Sequence, residues 1–371
     1  GVVLGEASAA LTTFAQAFGI PVVQTLMGLG GYDTTDNLAL HMLGMHGAAF
    51  ANYAVEDCDF VLAVGARFDD RVAGKPNAWA PNAQAIAHLD IDASEIGKVK
   101  AVNWSHVGLL SLALDALRAH LQATGFKADY APWHSHIAAL KRDYAYNYDK
   151  TSTAIQPHQV IEEINKITKG EAIVATGVGQ HQMWAAQYFD FKHPRLWLTS
   201  GSMGTMGFGL PAAIGAQFAH PNKLVIDIDG DASIRMNLGE METVTTYKLP
   251  VKIVVLNNVG DGMVRQWQKL FFDKRYAGSD KSLHQKDFIK AAEADGFTFA
   301  RRVSDKAQLA GVIAEFIAYA GPAFLEVMID TEAGVYPMVG PGQGYGQMIT
   351  GDFIPTRGEK VADKLETAAL F

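Results

Sequence analysis

Short, largely apolar runs, several of them rich in β-branched residues, recur along the chain: Phe60–Val64, Ala85–Ile91, Ala172–Thr176, Leu196–Thr199, Leu224–Asp229, Val251–Leu256, Phe297–Arg301 and Ala323–Ile329. A further short run lies near Pro21–Val23, and the opening GVVLG reads as a strand feeding a helix over Ala7–Phe18. Helix-period stretches separate the runs, among them Val107–Leu121, Leu210–Phe218 and Asp305–Tyr319, with Pro211 suited to a first helical turn. Strands that are apolar on both faces and alternate with helices predict an α/β architecture with parallel sheets. The pattern breaks at 123–153, a polar and aromatic segment with one short helical piece near His134–Arg142. The expectation is therefore two doubly wound units, 1–122 and 154–371, joined by a linker. The Gly- and Pro-rich stretch after Pro337 is expected to be a mobile tail.

The densest local signal runs from Val225 to Trp267. Two buried-strand runs flank a helix-length amphipathic segment, and each strand ends in an oxygen-rich turn: Gly230-Asp231 after the first, Asn257-Asn258 after the second. A βαβ crossover sets the carboxyl ends of neighbouring strands side by side, where open α/β sheets bind ligands. An Asp and an Asn there offer oxygen ligands to a hard cation such as Mg²⁺, which favours a few protein oxygens plus phosphates. Gly230 lets the turn approach a phosphate, and a following helix would aim its N–H groups at it. The unit suits a metal-bridged diphosphate.

Asn258 stands 27 positions after Asp231. Gly230-Asp231-Ala232 followed by Asn257-Asn258 resembles the thiamine-diphosphate signature, with Ala232 in place of its last glycine. Three longer segments, Thr176–Phe189, Thr199–Gln217 and Asn257–Phe272, resemble acetolactate synthase (acetohydroxyacid synthase) catalytic subunits. The resemblance implies roles by position. Asp231 and Asn258 would bind Mg²⁺ by side chain and Gly260 by its carbonyl. Val178, Gly179, Gln180, His181, Ala232, Ser233 and Gly262 would line the diphosphate. Met206 would hold thiamine in its bent form, Met263 would lie beside the thiazolium, and Trp267 would shape the pocket for a second 2-keto acid. Val259-Gly260-Asp261-Gly262 is richer in glycine than the family pattern, which predicts a flexible bend.

The first half resembles the FAD-binding middle domain of the same synthases, through Gly19–Asp33, His41–Lys75 and His88–Lys98. Arg67 and Arg71, beyond the strand Val61–Gly65, can meet an anionic diphosphate, and Asp90 is placed to accept from a ribose hydroxyl. The flavin set implied is Thr25, Leu26, Met27, Leu43, Gly44, Met45, His46, Gly65, Arg67, Asp69, Arg71, Val72, Asp90 and Ile91. Ser105-His106 departs from a family Gly-Asp pair, weakening one expected contact. The family's catalytic glutamate, which faces the aminopyrimidine ring, belongs to an N-terminal pyrimidine-binding domain that no segment here resembles. No catalytic acid or base is therefore assigned, and the chain is expected to be a fragment, inactive by itself.

The resemblance implies an enzyme condensing two pyruvates to 2-acetolactate and CO₂, or pyruvate with 2-ketobutyrate, in isoleucine, valine and leucine biosynthesis. Its cofactors would be thiamine diphosphate, Mg²⁺ and FAD, and its partners a second catalytic subunit and a small regulatory subunit. A pyruvate oxidase or glyoxylate carboligase would share both folds, and a non-catalytic cofactor-binding module is the remaining alternative. The 371 residues, with 49% hydrophobic and 19% charged content, agree with more than one buried core. The formal charge of −8 argues against nucleic acid as a partner, and no apolar run approaches the ~20 residues that span a bilayer. The single cysteine, Cys58, excludes an internal disulfide. His134 and His136 lack acidic or thiol neighbours in sequence, so no metal is assigned to them. Compartment follows source: cytoplasmic in a bacterium, plastid or mitochondrion in a eukaryote.

Overall fold

The computed structural model describes residues 1–358, which form two compact units. The first takes in Gly1–Tyr148, Phe191–Pro194 and the segment from Tyr336 onward; the second is Asp149–Asp190 with Arg195–Val335.

In the first unit β1 (Val22–Gln24) and β2 (Ala39–Met42) form a parallel pair. A three-stranded parallel sheet has the order β3 (Phe60–Val64), β4 (Ala85–Asp90), β5 (Trp104–Val107). The helices are α1 (Ser8–Phe18), α2 (Ala49–Asp57), α3 (Asp70–Ala73), α4 (Leu110–Ala123) and α5 (Ala131–Asp143). Gly19, at φ 67, closes α1 in the left-handed conformation that glycine tolerates. Strand β3 shows why the sheet is a middle layer. Val61 and Ala63 pack with residues of α2 and α5, while Leu62 and Val64 pack with Phe14 of α1 and Leu114 of α4. Successive side chains leave opposite faces, so an unbroken apolar run buries both.

Three expectations are corrected here. The opening GVVLG forms turns, because Gly5 N–H donates back to the Gly1 carbonyl and the Gly1 amine to the carbonyl of Gly65. The linker is no separate segment: α5 places Ile137 and Leu140 in the first core. The tail beyond Pro337 also belongs to that core, through buried Val339, Tyr345, Met348 and Ile354. The Tyr345 hydroxyl accepts from Trp79 Nε1 and donates to the carbonyl of Val72. Apolar side chains spaced among the glycines supply the burial that the turn-rich composition hides. Residues 359–371, also counted in the expected tail, lie outside the described residues.

The second unit is one six-stranded parallel sheet. Its strands are β6 (Ile173–Thr176), β7 (Trp197–Leu198), β8 (Val225–Gly230), β9 (Lys252–Asn257), β10 (Phe299–Val303) and β11 (Ala323–Met328), in the order β10-β11-β9-β8-β6-β7. Its helices are α6 (Pro157–Thr168), α7 (Gln180–Tyr188), α8 (Gly209–Ala219), α9 (Met241–Thr246), α10 (Gly262–Phe271), α11 (Phe288–Ala294) and α12 (Leu309–Ala318). One face carries Val225, Ile253 and Val255 against α8, α9 and α11. On the sheet's other contacts, α7 touches β6 and β8 while α12 touches β10 and β11. The long helix expected between β8 and β9 is instead a 3₁₀ stretch, Ile234–Glu240, running into α9 with a kink at Asn237. From β6 the chain steps to β7 on one side and then to β8 on the other, so a topological switch point lies between β6 and β8. Among the described residues no helix is long and apolar enough to cross a membrane.

His158, at the start of α6, is buried edge-on against Trp184 and Tyr188. Burial pulls its pKa down to about 3. A base depressed in the folded state gives stability that is complete above its unfolded pKa, about 6.5, and is lost as pH falls towards 3. Thermal unfolding measured between about pH 7 and pH 4 should therefore show a loss of stability that His158→Phe partly removes.

Candidate cofactor site

The switch point opens into a cleft. Three loops build it. Val178 and Gly179, after β6, lead into Gln180 and His181 at the start of α7. Gly230 to Ser233 follow β8, and Asn258 to Gly262 follow β9 and lead into α10. The parallel register sets Thr176 beside Ile228 and Gly230 beside Leu256, so the three turns leave the same edge of the sheet, that of β6 about two residues before the others. Met206, Met263, Trp184, Leu256 and Val264 complete the lining.

Close packing explains the glycines. A Cβ on Gly230 would lie 2.6 Å from His181 Nδ1, and one on Gly262 would lie 2.1 Å from Gln180 Oε1. Beneath the cleft, a Cβ on Gly177 would reach 2.0 Å from Asp229 Oδ1 and 2.3 Å from Ser233 Oγ. Ser233 Oγ in turn accepts from the backbone N–H groups of Val178 and Gly207, tying two loops to the turn after β8.

Burial governs the charges. Asp231 is 2% exposed and desolvation pushes its carboxyl up to about 7, although Arg235 and the Asn258 N–H act in the opposite direction. Asp229, wholly buried, is likewise raised to about 7, and Asp227 is raised well above the carboxylate range by burial and by the neighbouring Asp229. His181 is pulled down to about 3 by burial; its Nε2 lies 3.3 Å from Asp229 Oδ1 without a hydrogen bond. Among the described residues no group of three or more His, Cys, Asp or Glu could hold a metal. The three oxygen donors expected from the sequence, in Asp231, Asn258 and Gly260, are one carboxylate, one amide and one carbonyl, and all three line the cleft. That set suits a hard cation that completes its shell with ligand oxygens.

The bend 259–262, expected to be flexible, is tied down. Gly260 bridges to Asp280, Asp261 N–H donates to the Ser279 carbonyl, and Lys281 N–H donates to the Val259 carbonyl. Asn257 Oδ1 accepts from Val259 N–H and holds that residue at φ 59.

Every diphosphate and metal position expected from the sequence lines this cleft, as do Met206 and Met263. Trp267 does not: it is half-buried on α10, packed edge-on against Phe271 one turn away. Sequence reasoning missed Trp184 and Asp261. The first is one helical turn from Gln180 and the second directly precedes α10, so helical phase and cap position were the signals available.

In the first unit the flavin set gathers beyond the strands. Thr25 to Met27 follow β1 and Leu43 to His46 follow β2, linked by Leu43 N–H donating to the Gln24 carbonyl. Met45 N–H donates to the Arg71 carbonyl, and Gly44 approaches that same carbonyl, where a Cβ would lie 2.4 Å from the oxygen. Gly65 N–H donates to the Leu89 carbonyl, which brings in Asp90 and Ile91. Asp69 caps α3, accepting from the N–H groups of Arg71 and Val72, and pairs with Arg67 at 3.2 Å. Arg67 and Arg71 are 55% and 64% exposed. His46 is buried near the Pro337 carbonyl and drawn down to about 4 by desolvation. His134 and His136 are instead engaged by the Gly19 carbonyl and Asp57.

The fold and cleft meet known families at this point. The profile of the thiamine pyrophosphate enzyme C-terminal TPP binding domain matches residues 177–327, and that of the thiamine pyrophosphate enzyme central domain matches residues 1–117. The chain belongs to the thiamine pyrophosphate enzymes. Within them it is a homologue of acetolactate synthases: 43% identical over 93% of its length to acetolactate synthase 2, chloroplastic, of Nicotiana tabacum, of which the match covers 53%. It is 44% identical to acetolactate synthase, chloroplastic, of Arabidopsis thaliana, over 92% of this chain and 52% of that one. With the acetolactate synthase large subunit of Cyanidium caldarium the figures are 42%, 94% and 60%. The chain thus spans about half the length of the curated relatives it matches.

Gly177→Ala should force a methyl into the space of Asp229 and Ser233. Overpacking of this kind typically costs about 1–3 kcal/mol, read as a lower denaturation midpoint for the second unit.

Proposed function

We propose that the second unit binds thiamine diphosphate through Mg²⁺, and that the enzyme to which the chain belongs is an acetolactate synthase. The observation that carries this reading is the meeting of Asp231, Asn258 and Gly260 at the switch point, beside the N-terminus of α7. The residues fit the group: a buried carboxylate raised towards neutrality gains from a divalent cation, and glycines keep the turns open to phosphate oxygens. Asp231, Asn258 and the Gly260 carbonyl would hold the ion. The N–H groups at the start of α7 would face the diphosphate, as helix N-termini do. His181, kept neutral by burial, would donate or accept a hydrogen bond there without adding charge.

Thiamine diphosphate, when bound, supplies the electron sink for decarboxylating a 2-keto acid. The chain's own part is to seat the diphosphate, exclude water through Met206, Met263 and Val264, and orient the substrate. Trp267 and Phe271 would give the second 2-keto acid an apolar wall; one methylene against it is worth about 1–3 kcal/mol, a preference between pyruvate and 2-ketobutyrate. The cleft acids among the described residues are Asp231 and Asp261, with no glutamate, so proton transfer at the aminopyrimidine would fall to a group outside this lining. In the first unit Arg67 and Arg71 would hold the diphosphate of FAD and Asp90 a ribose hydroxyl. A second catalytic subunit and a small regulatory subunit complete the proposed assembly.

Calorimetric titration tests the metal assignment. Asp231→Ala should abolish Mg²⁺-dependent binding of thiamine diphosphate, since the remaining neutral oxygens do not balance the ion; an unchanged isotherm would overturn it. For the flavin, the double variant Arg67→Ala, Arg71→Ala should weaken FAD binding at least about tenfold, because a hydrogen bond to a charged group contributes about 1.5–3 kcal/mol. Equal FAD occupancy in both proteins would return these arginines to a surface role.

A further inference from the structure

Three amide side chains form a line beneath the metal-binding turn. Asn258 Nδ2 donates to Gln180 Oε1 at 2.9 Å, and Gln180 Nε2 donates to Gln266 Oε1 at 2.9 Å. Gln266 ends the line on the backbone of Val335: its Nε2 donates to the Val335 carbonyl at 3.0 Å, and its Oε1 accepts from the Val335 N–H at 2.8 Å. Gln180 Nε2 has a second anchor, the carbonyl of Ala333 at 3.1 Å. All three side chains are buried.

The two ends of an amide are nearly alike in shape, so its orientation is set by its partners. Backbone groups leave no choice, since an N–H only donates and a carbonyl only accepts. Val335 therefore fixes which end of Gln266 is oxygen. Gln266, together with Ala333, fixes Gln180, and Gln180 presents its oxygen to Asn258. Asn258 must then turn its nitrogen inward and its oxygen away from Gln180. Turning any one amide over would set oxygen against oxygen or nitrogen against nitrogen in a buried place, where an unmade hydrogen bond is expensive.

We infer that Gln180 and Gln266 are positioning residues that hold Asn258 with its oxygen offered to the cation, and that the 333–335 segment sets the polarity of the line. The inference rests on the reading of Asn258 as a Mg²⁺ ligand. Gln266 is also the residue before Trp267, so the same line joins the metal turn to the helix proposed to face substrate.

The test is a MgCl₂ titration at fixed thiamine diphosphate, followed by Trp184 fluorescence in the cleft, with the unfolding temperature of each variant measured alongside. Gln180→Met should raise the Mg²⁺ concentration at half-saturation about tenfold. Gln266→Met should raise it about threefold, because Ala333 still holds Gln180. Gln266→Glu keeps oxygens to accept from Gln180 Nε2 and from the Val335 N–H, and should stay near the wild-type value despite a lower unfolding temperature. A merely structural role would lower unfolding temperatures and leave half-saturation untouched. The inference is overturned if both methionine variants titrate like wild type while Asn258→Ala does not, or if Gln266→Glu weakens Mg²⁺ as much as Asn258→Ala. If Asn258→Ala itself titrates like wild type, the metal-site reading fails first. Should Gln180→Met not fold, Gln266→Met and Gln266→Glu decide the matter by the same criteria.

Discussion

The parallel ladder joining β6, β8 and β9 is the constraint from which the cleft follows. Its register brings the ends of three strands to the same edge of the sheet, and each strand then supplies a turn with different chemistry: backbone N–H groups after β6, a carboxylate after β8, an amide and a carbonyl after β9. A slip of one residue in β8 would turn Asp227 and Asp229 to the opposite face and carry Asp231 out of line. The apolar alternates Ile226 and Ile228, fully buried, hold that register against slippage. The site's geometry is thus a by-product of how the core packs.

The same ladder explains an electrostatic oddity. Three carboxyl groups lie within five residues of β8 and its turn, all buried, and desolvation raises every one of them. Asp227 has no hydrogen-bond partner for either oxygen among the described residues. Glycines 177 and 209 make room for the pair, since a Cβ on either would collide with a carboxylate oxygen. His181 is pushed the other way, towards its neutral form. Burial thus moves acid and base alike towards their neutral forms.

Much of this was legible in the chain. The runs that become β6, β9 and β11 stand out because strands buried on both faces are apolar almost throughout. The turns that build the cleft are legible because Gly230-Asp231 and Asn257-Asn258 end two strand runs at a spacing that resembles the family signature. What stayed hidden depends on partners distant in sequence. Strand β2 is four residues carrying a histidine at left-handed φ, and β5 is exposed along its whole length, so neither has an apolar run to betray it. The packing of Tyr345 against Trp79 and Val72 joins residues that no local pattern connects. Gln266 looks like any polar residue on an amphipathic helix until Val335 is placed beside it.

That long-range packing bears on the order in which the molecule is assembled. The hydroxyl of Tyr345 closes onto Val72 across 273 residues, and Val339, Met348 and Ile354 enter the same core. The closure entropy of so long a loop grows only slowly with its length, so equilibrium stability suffers little. Synthesis is another matter, because a ribosome delivers the chain from its first residue onward. The first unit remains without part of its interior until the segment after Tyr336 has emerged, whereas the second has by then received every residue it needs. Domains generally fold as units, the N-terminal one first during synthesis; here the unit that begins the chain is the later of the two to be completed, and its half-formed core is the state that chaperones would meet.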